Sequence, residues 1–437
     1  MALLFEGLPV GWQALLTLSL VVVVVLFLWS GLLFVRARHA AIHPPPVPAA
    51  GADGFTWVFL VPALNEEMTI RDSVQRLLGL DLARRAVLVI DDGSDDRTAE
   101  ALAGISHPNL FVLRREAPLS REGKAAALNQ AYRCLSGVRD RERTIVVVVD
   151  ADGRLHPDGP SYAAAHFENP AVGGVQSRVR IYNRQHLLTW LQDVEFAVYG
   201  RLFQAGRDFW GTAGMGGNGQ FNRLRALDDL VEGDGPWRDR LTEDQDLGLR
   251  LVAHGWEGRQ DLRATVDQQG VSRLRPLLRQ RTRWSQGNLQ AIGLAGEVWR
   301  SPFLLGARLE QIAYLLMPFW QGVVGLGIVA ALLLSLTGTA PLWGGGPPWQ
   351  LAIVYILAFG GTILGCVASR GRAGPRGWLT GLLIAHVYVP YTWFLWPVLL
   401  RSTARQLTQR GEWSKTEREP VAVGVERPAP YGRPAVS

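Results

Sequence analysis

Two hydrophobic textures divide the chain. Trp12 to Val35 is a run of about 24 residues without a charge, long enough to cross a bilayer as a helix. No basic residues precede it and it exceeds the apolar core of a signal peptide. Arg36, Arg38 and His39 follow, which places its C-terminal end in the cytoplasm by the positive-inside rule. His43 to Ala52 is a Pro/Ala/Gly linker. From Phe55 short apolar runs alternate with amphipathic ones. Thr56–Val61, Ala86–Ile90, Leu110–Leu113, Thr144–Val149 and Gly173–Ile181 read as strands. Glu66–Leu78, Lys124–Cys134, Arg184–Phe203 and Glu243–Val252 read as helices, the last with Thr242 as its N-cap candidate. This alternation predicts right-handed βαβ units and a parallel sheet. The β-branched run Ile145 to Val149 reads as a central strand buried on both faces.

The texture changes again at Arg273. Arg273 to Arg300 is basic and amphipathic, the pattern of helices lying in a membrane interface. Ile312–Leu336, Trp349–Val367 and Trp378–Leu400 then read as spans. Arg370, Arg372 and Arg376 assign the loop between the second and third of these to the cytoplasm. Three crossings would leave the basic tail outside, against its charge, and Pro390 and Pro397 mark the last segment as a hairpin or interfacial candidate. The expected organisation is an N-terminal helix and linker (1–54), a cytoplasmic α/β domain (55–272), interfacial helices (273–310), a transmembrane region (311–400) and a basic tail (401–437). The net charge of +6 sits largely on arginines near apolar segments, so the expected partner is the lipid bilayer. No aromatic-basic motif points to nucleic acid. Cys134 and Cys366 lie far apart, which excludes a disulfide framework and a cysteine metal site.

Candidate chemistry collects at strand ends, where ligands bind in open α/β sheets. Asp150 and Asp152 close the fourth strand and can share a divalent cation, which in turn can hold a diphosphate; alone, they are equally an acidic turn. Asp91 and Asp92 close the second strand and can accept hydrogen bonds from a base or ribose. Lys124 opens a helix, a place where a cation opposes the helix dipole and gains from an anionic phosphate. Glu243 and Asp244 begin another helix, either as capping acids or with one of them a general base. Gln280 to Trp284 offers a guanidinium for a diphosphate and an indole for a sugar ring.

In order, these stretches are Val61-Pro62-Ala63-Leu64-Asn65-Glu66-Glu67, Asp91-Asp92-Gly93-Ser94-Asp95-Asp96, Gly123-Lys124, Asp150-Ala151-Asp152, Thr242-Glu243-Asp244 and Gln280-x-x-Arg283-Trp284. Together they resemble the family 2 glycosyltransferases, in particular the membrane-embedded branch of cellulose, hyaluronan and poly-N-acetylglucosamine synthases. The resemblance implies a GT-A (Rossmann-like) nucleotide-diphospho-sugar transferase domain inserted between α-helical transmembrane segments. It implies an inverting transfer with Mg²⁺ or Mn²⁺, from a donor such as UDP-glucose or UDP-N-acetylglucosamine, to a glycan or lipid acceptor. By the same resemblance, Pro62, Glu66, Asp91, Asp92, Lys124, Asp150 and Arg283 would bind the nucleotide sugar. Asp150 and Asp152 would hold the metal, with Asp152 the more direct ligand. Asp244, beside Glu243, would be the base. Gln280, Trp284 and the loop residues Asn218 and Gly219 would meet the acceptor. Trp413 to Arg418 is similar to the gating loop of the synthases except at Lys415. The expected activity is a processive polysaccharide synthase, multi-pass in the plasma (inner) membrane with its catalytic domain cytoplasmic. The alternatives are transfer of one sugar to a lipid, or a non-catalytic sugar-binding or transport protein.

Overall fold

The computed structural model describes residues 7–339, 349–370, 374–394 and 396–408; the segment Trp413 to Arg418 lies outside the described residues. A long helix, α1 (Val10–Ile42), leads into an α/β domain. There follow β1 (Thr56–Ala63), α2 (Ile70–Leu78), β2 (Arg85–Asp91), α3 (Thr98–Ala103), β3 (Leu110–Arg114), α4 (Lys124–Arg133) and β4 (Thr144–Val148). Then come β5 (Arg154–Leu155), α5 (Gly159–Phe167), β6 (Val172–Ile181), α6 (Leu187–Val198), α7 (Ala205–Arg207), β7 (Gln220–Arg223), α8 (Leu224–Asp228), α9 (Glu243–Ala253) and β8 (Glu257–Gln268). The chain closes on α10 (Leu274–Ala291), α11 (Ala295–Trp299), α12 (Leu305–Leu315), α13 (Met317–Leu336), α14 (Trp349–Arg370), α15 (Gly374–Phe394) and α16 (Trp396–Leu407).

The eight strands form one sheet in the order β3-β2-β1-β4-β7-β6-β8-β5. β1 runs parallel to β2 and β4, with Leu60 opposite both Leu88 and Val148. Every residue of β4 is buried, as its β-branched run requires, and Val147 and Val146 feed the cores on opposite faces. Each such side chain contributes about 1.5–3 kcal/mol by leaving water.

The sheet is mixed, not wholly parallel. β7 pairs antiparallel with both β4 and β6, and β5 antiparallel with β8. The reversal follows from Gly217 and Gly219, whose φ values of 77° and 68° turn the chain back along β4. The Gly219 amide then donates to the Val148 carbonyl at 2.9 Å. β1 extends past the expected Thr56–Val61, through Pro62 opposite Ile90, to Ala63. Thr242 precedes α9 but makes no capping bond; its hydroxyl donates to Gln245 at 3.2 Å.

Four helical stretches among the described residues are long and apolar enough to cross a membrane. α1 packs against α13 and α14 through small residues: Ser19 donates to the Val323 carbonyl, and a Cβ on Gly361 would lie 2.6 Å from the Ser30 hydroxyl. The run expected as Ile312–Leu336 divides at Leu316, because Pro318 in the first turn of α13 cannot continue α12. The run expected as Trp378–Leu400 becomes α15 and α16. α16 packs along α10, with Ser402 and Ser285 hydroxyls 2.7 Å apart and Gln286 donating to Gln406.

Candidate active site

β1, β2 and β4 end together, and their C-terminal ends form the floor of one cavity of about 780 Å³. That is a volume typical of small-molecule sites. Pro62, Glu66, Asp92, Asp150, Lys124, Asn218, Glu243, Asp244, Gln280, Arg283 and Trp284 all line it. Residues separated by more than two hundred positions in sequence thus meet on one wall.

Lys124 is central. α4 starts at this residue because Gly123, at φ 105°, breaks the preceding loop. The ammonium lies 2.7 Å from the Asp150 carboxylate and 3.5 Å from that of Glu243. Burial works against its charge, yet Asp150, Glu243 and Asp244 together hold it well above the usual lysine range. Asp244 responds in the opposite way. Burial and then the charge of Glu243 push its carboxyl up to about 7, with Lys124 and Arg283 only partly opposing. It accepts the Gln245 amide at 2.8 Å. Gly217 faces it, and a Cβ there would lie 2.7 Å from an Asp244 oxygen. Only glycine combines that clearance with a positive φ.

Asp150 and Asp152 point differently. Asp150 is on the cavity wall, its amide donating to Asn218 Oδ1 at 3.1 Å. Asp152 is buried behind it, and its Oδ2 accepts the Gln269 amide at 3.0 Å. The sequence makes Asp152 the expected more direct ligand; here Asp150 is the carboxylate that lines the cavity, and Asp152 lies behind it. The donor set still fits a hard divalent cation. Such an ion takes one or two carboxylates and completes its shell with phosphate and water oxygens.

Asp91 and Gly219, two further expected site residues, lie off the cavity wall. Asp91 is buried, bonded to Arg114 at 2.8 Å and to the Ser94 amide at 2.9 Å, and so shapes the turn that presents Asp92. Gly219 accepts the Ser177 hydroxyl through its carbonyl. Asp92 itself pairs with buried Arg115 and accepts the Arg121 amide; burial raises its pKa against those partners. Arg283 donates to the Leu241 carbonyl at 2.9 Å. Trp284 meets Phe196 edge-on, and the Arg281 guanidinium covers its ring at 4.1 Å.

Several wall residues escaped the sequence reading. Glu195 accepts from Arg281 at 2.7 Å and from Tyr391 at 2.9 Å, which joins α6, α10 and α15 at the wall. Gln245, next to Asp244, donates to the Tyr314 hydroxyl at 3.2 Å. Arg207 sits over the Tyr314 ring at 3.9 Å, and pairs with Glu310 at 2.9 Å. Arg281 lies inside the Gln280–Trp284 motif, at a position that the motif leaves open. Tyr314 is embedded in an apolar run that reads as a span. Only tertiary contact reveals either role.

Beyond these polar groups the cavity continues between α1, α13 and α14. Val23, Leu26, Val324, Ile328, Leu357 and Ala358 form its far wall, with Trp393 and Trp396 nearby.

Comparison with known proteins agrees with this geometry. Residues 145–364 match the model of glycosyl transferase family group 2, and residues 58–231 that of glycosyl transferase family 2. A β-monoglucosyldiacylglycerol synthase from Synechocystis sp. is 33% identical over 288 residues, 63% of this chain and 56% of that protein. A poly-β-1,6-N-acetyl-D-glucosamine synthase from Staphylococcus aureus is 28% identical over 260 residues, 58% of this chain and 59% of that protein. The matched region thus spans little more than half the length of these relatives. Among solved structures, the mannosyltransferase PcManGT from Pyrobaculum calidifontis, in complex with GDP-Man and Mn²⁺, superposes with a TM-score of 0.60 at 19% identity, covering 91% of this chain and all of that one. With a GT-A-like mixed sheet flanked by apolar helices and a family model matched over half its length, the chain belongs to glycosyl transferase family group 2 and is a family 2 glycosyltransferase.

Proposed function

We propose that the protein transfers one sugar, with inversion, from a nucleoside-diphosphate donor to the hydroxyl of a membrane lipid. The observation that carries this reading is the continuity of the cavity. Its polar end holds Asp244 and Lys124, and its other end opens between α1, α13 and α14 with aliphatic walls. Aliphatic walls suit acyl chains. They would let a lipid raise its hydroxyl to Asp244 while its tails stay out of water. The name of the Synechocystis relative points to the same class, a glucosyl group on diacylglycerol. UDP-glucose is then the first donor to test and UDP-N-acetylglucosamine the second.

In this mechanism Pro62, Glu66 and Asp92 bind the nucleoside. Asp150, with Asp152 behind it, would hold Mg²⁺ or Mn²⁺; when bound, the ion neutralises charge on the diphosphate. Lys124, now spent on Asp150 and Glu243, turns its charge to the diphosphate as it arrives. Arg283 adds a second cation. Asp244 accepts the acceptor proton as the oxygen attacks the anomeric carbon from the side opposite the diphosphate. A single displacement converts an α-linked donor into a β-glycoside. Gln280, Trp284 and Asn218 orient the acceptor.

A second reading, a processive β-glycan synthase, is favoured by the indoles of Trp284, Trp393 and Trp396 along the same cavity, because aromatic faces stack on sugar rings. In either case α16 returns to pack on α10, with the Ser402 and Ser285 hydroxyls in contact. The acceptor requirement tests the proposal. Purified protein in phosphatidylcholine vesicles should release UDP from UDP-glucose only when diacylglycerol is added. Release that is indifferent to diacylglycerol and stimulated by soluble oligosaccharide would favour the second reading.

A further inference from the structure

α6 does not run straight into α7. Tyr199–Gln204 forms a π-helical turn between them, a rare distortion that recurs at functional sites. Tyr199, Phe203 and Arg207, at four-residue intervals along it, all line the sugar-transfer cavity. Tyr199 is 37% exposed, so part of its ring is open to a ligand. α12 supplies Tyr314 to the same wall, and the two phenol oxygens are 3.5 Å apart.

The bonds around this pair fix what its protons can do. Gln245 Oε1 accepts the Thr242 hydroxyl at 3.2 Å, so Nε2 is the atom that donates to the Tyr314 oxygen, also at 3.2 Å. With that oxygen accepting, Tyr314 has its own O–H left to donate. Burial, and then Tyr314, raise the pKa of Tyr199 well above the usual phenol range, and the charge of Asp244 acts in the same direction. Tyr199 therefore stays protonated. A hydroxyl–hydroxyl bond normally closes to about 2.7–2.8 Å, so the two phenols make only a long bond to each other.

Arg207 supports the pair. It is buried, as is its partner Glu310, and it donates to Gln204 at 3.1 Å and to Gln311 at 2.8 Å. Gln204 donates in turn to the Gly214 carbonyl at 2.6 Å, at the start of the loop that carries Gly217 and Asn218. A buried ion pair adds little to stability by itself. This one holds a guanidinium over the Tyr314 ring at 3.9 Å, which fixes the phenol and polarises it toward donation.

The pair also stands where the two halves of the cavity meet. On one side are Asp244 and Gln245. On the other, the chain runs on through Leu315, Met317 and Pro318 to Val324 and Ile328 of the aliphatic wall. In a diacyl glycerolipid, ester carbonyls occupy the same boundary between polar head and apolar tails. A carbonyl oxygen has two lone pairs and no proton to give. Two donor oxygens 3.5 Å apart can both reach one such atom at about 2.7–2.8 Å.

We propose that the Tyr199 and Tyr314 hydroxyls form an acceptor subsite that holds an ester carbonyl oxygen of a diacyl glycerolipid and so presents the neighbouring hydroxyl to Asp244. The assignment rests on the lipid acceptor proposed above and goes further, to the group by which that lipid is recognised.

The test uses the full chain in phosphatidylcholine vesicles with UDP-glucose and either diacylglycerol or its ether analogue, dialkylglycerol. The analogue keeps the hydroxyl and the tails but lacks the carbonyls. Wild type should use diacylglycerol about tenfold better in kcat/KM, chiefly through KM. Tyr314→Phe deletes only the hydroxyl and should bring the two acceptors to within about twofold of each other. Tyr199→Phe should do the same, and serves alone if Tyr314→Phe does not fold. Tyrosines with a merely structural role would lower activity on both acceptors equally and leave the preference in place, which would overturn the subsite. Equal use of the two acceptors by wild type would overturn the ester contact and leave the lipid acceptor standing. Glucosylation of neither lipid would overturn the lipid acceptor itself, and the subsite with it.

Discussion

Asp244→Asn removes the proton acceptor from the cavity while keeping its shape. The carboxyl it replaces is displaced from an ordinary 3.8 to about 7 by burial and by Glu243. Two consequences follow. The first is kinetic. A base that titrates near 7 is only about one-tenth ionised at pH 6, so kcat/KM should fall about tenfold from pH 8 to pH 6; a base at 3.8 would show no change over that range. The variant should lose about 10²–10⁴-fold in kcat. UDP affinity should stay within about twofold, since Asp244 acts on the acceptor. The second consequence is stability. A carboxyl whose folded pKa is raised stabilises the fold fully below its unfolded pKa, and that contribution is lost as pH rises through about 7. The displacement corresponds to about 4 kcal/mol at most. Water in the open cavity screens it to about 2 kcal/mol. Asp244→Asn should therefore be more stable than wild type at pH 8, and the difference should shrink toward pH 5. Steady-state UDP release from pH 5.5 to 8.5 and thermal unfolding at both ends check these points. A flat profile, or an equal loss of UDP affinity, would refute the assignment of Asp244 as the base.

Gly217→Ala should lower kcat more than donor affinity, because its Cβ meets Asp244 and its backbone is held at positive φ; the strain is about 1–3 kcal/mol, read as lost Tm and kcat. Arg281→Ala strands the Glu195 carboxylate and uncovers Trp284, so it should cost about 3 kcal/mol in unfolding, while Tyr391→Phe should cost about 1 kcal/mol. Chelation with EDTA should abolish donor binding measured by calorimetry, and Mg²⁺ or Mn²⁺ should restore it; donor binding unchanged by EDTA would remove the metal role from Asp150 and Asp152.

The legible part of this protein was the part written in local pattern. The β-branched run of β4, the apolar α1 and the ordered acids at strand ends each report their own structure through period, length or position. Direction within the sheet did not. β7 is four residues long, and its antiparallel course depends on Gly217 and Gly219 and on pairing with a strand some seventy residues earlier. Asp150, Lys124 and Asp244 could be named from sequence because each sits at an element end. Which carboxylate faces the cavity could not, because Asp152 is turned away by a backbone bond to Gln269. Glu195, Tyr314 and Tyr391 were invisible for a related reason. They lie in apolar helices whose pattern announces membrane or core, and only the packing of α6, α12 and α15 around one cavity gives them polar partners.

In the proposed mechanism Asp244 deprotonates a lipid hydroxyl, which then takes a single sugar from the donor. The direct test is the size and solubility of the product formed from radiolabelled UDP-glucose in diacylglycerol-containing vesicles, analysed by organic extraction and mass spectrometry. The expected result is an organic-extractable product with a single β-linked hexose, absent with Asp244→Asn. A water-soluble or insoluble polymer that lengthens with time, and no monoglycosylated lipid, would contradict it.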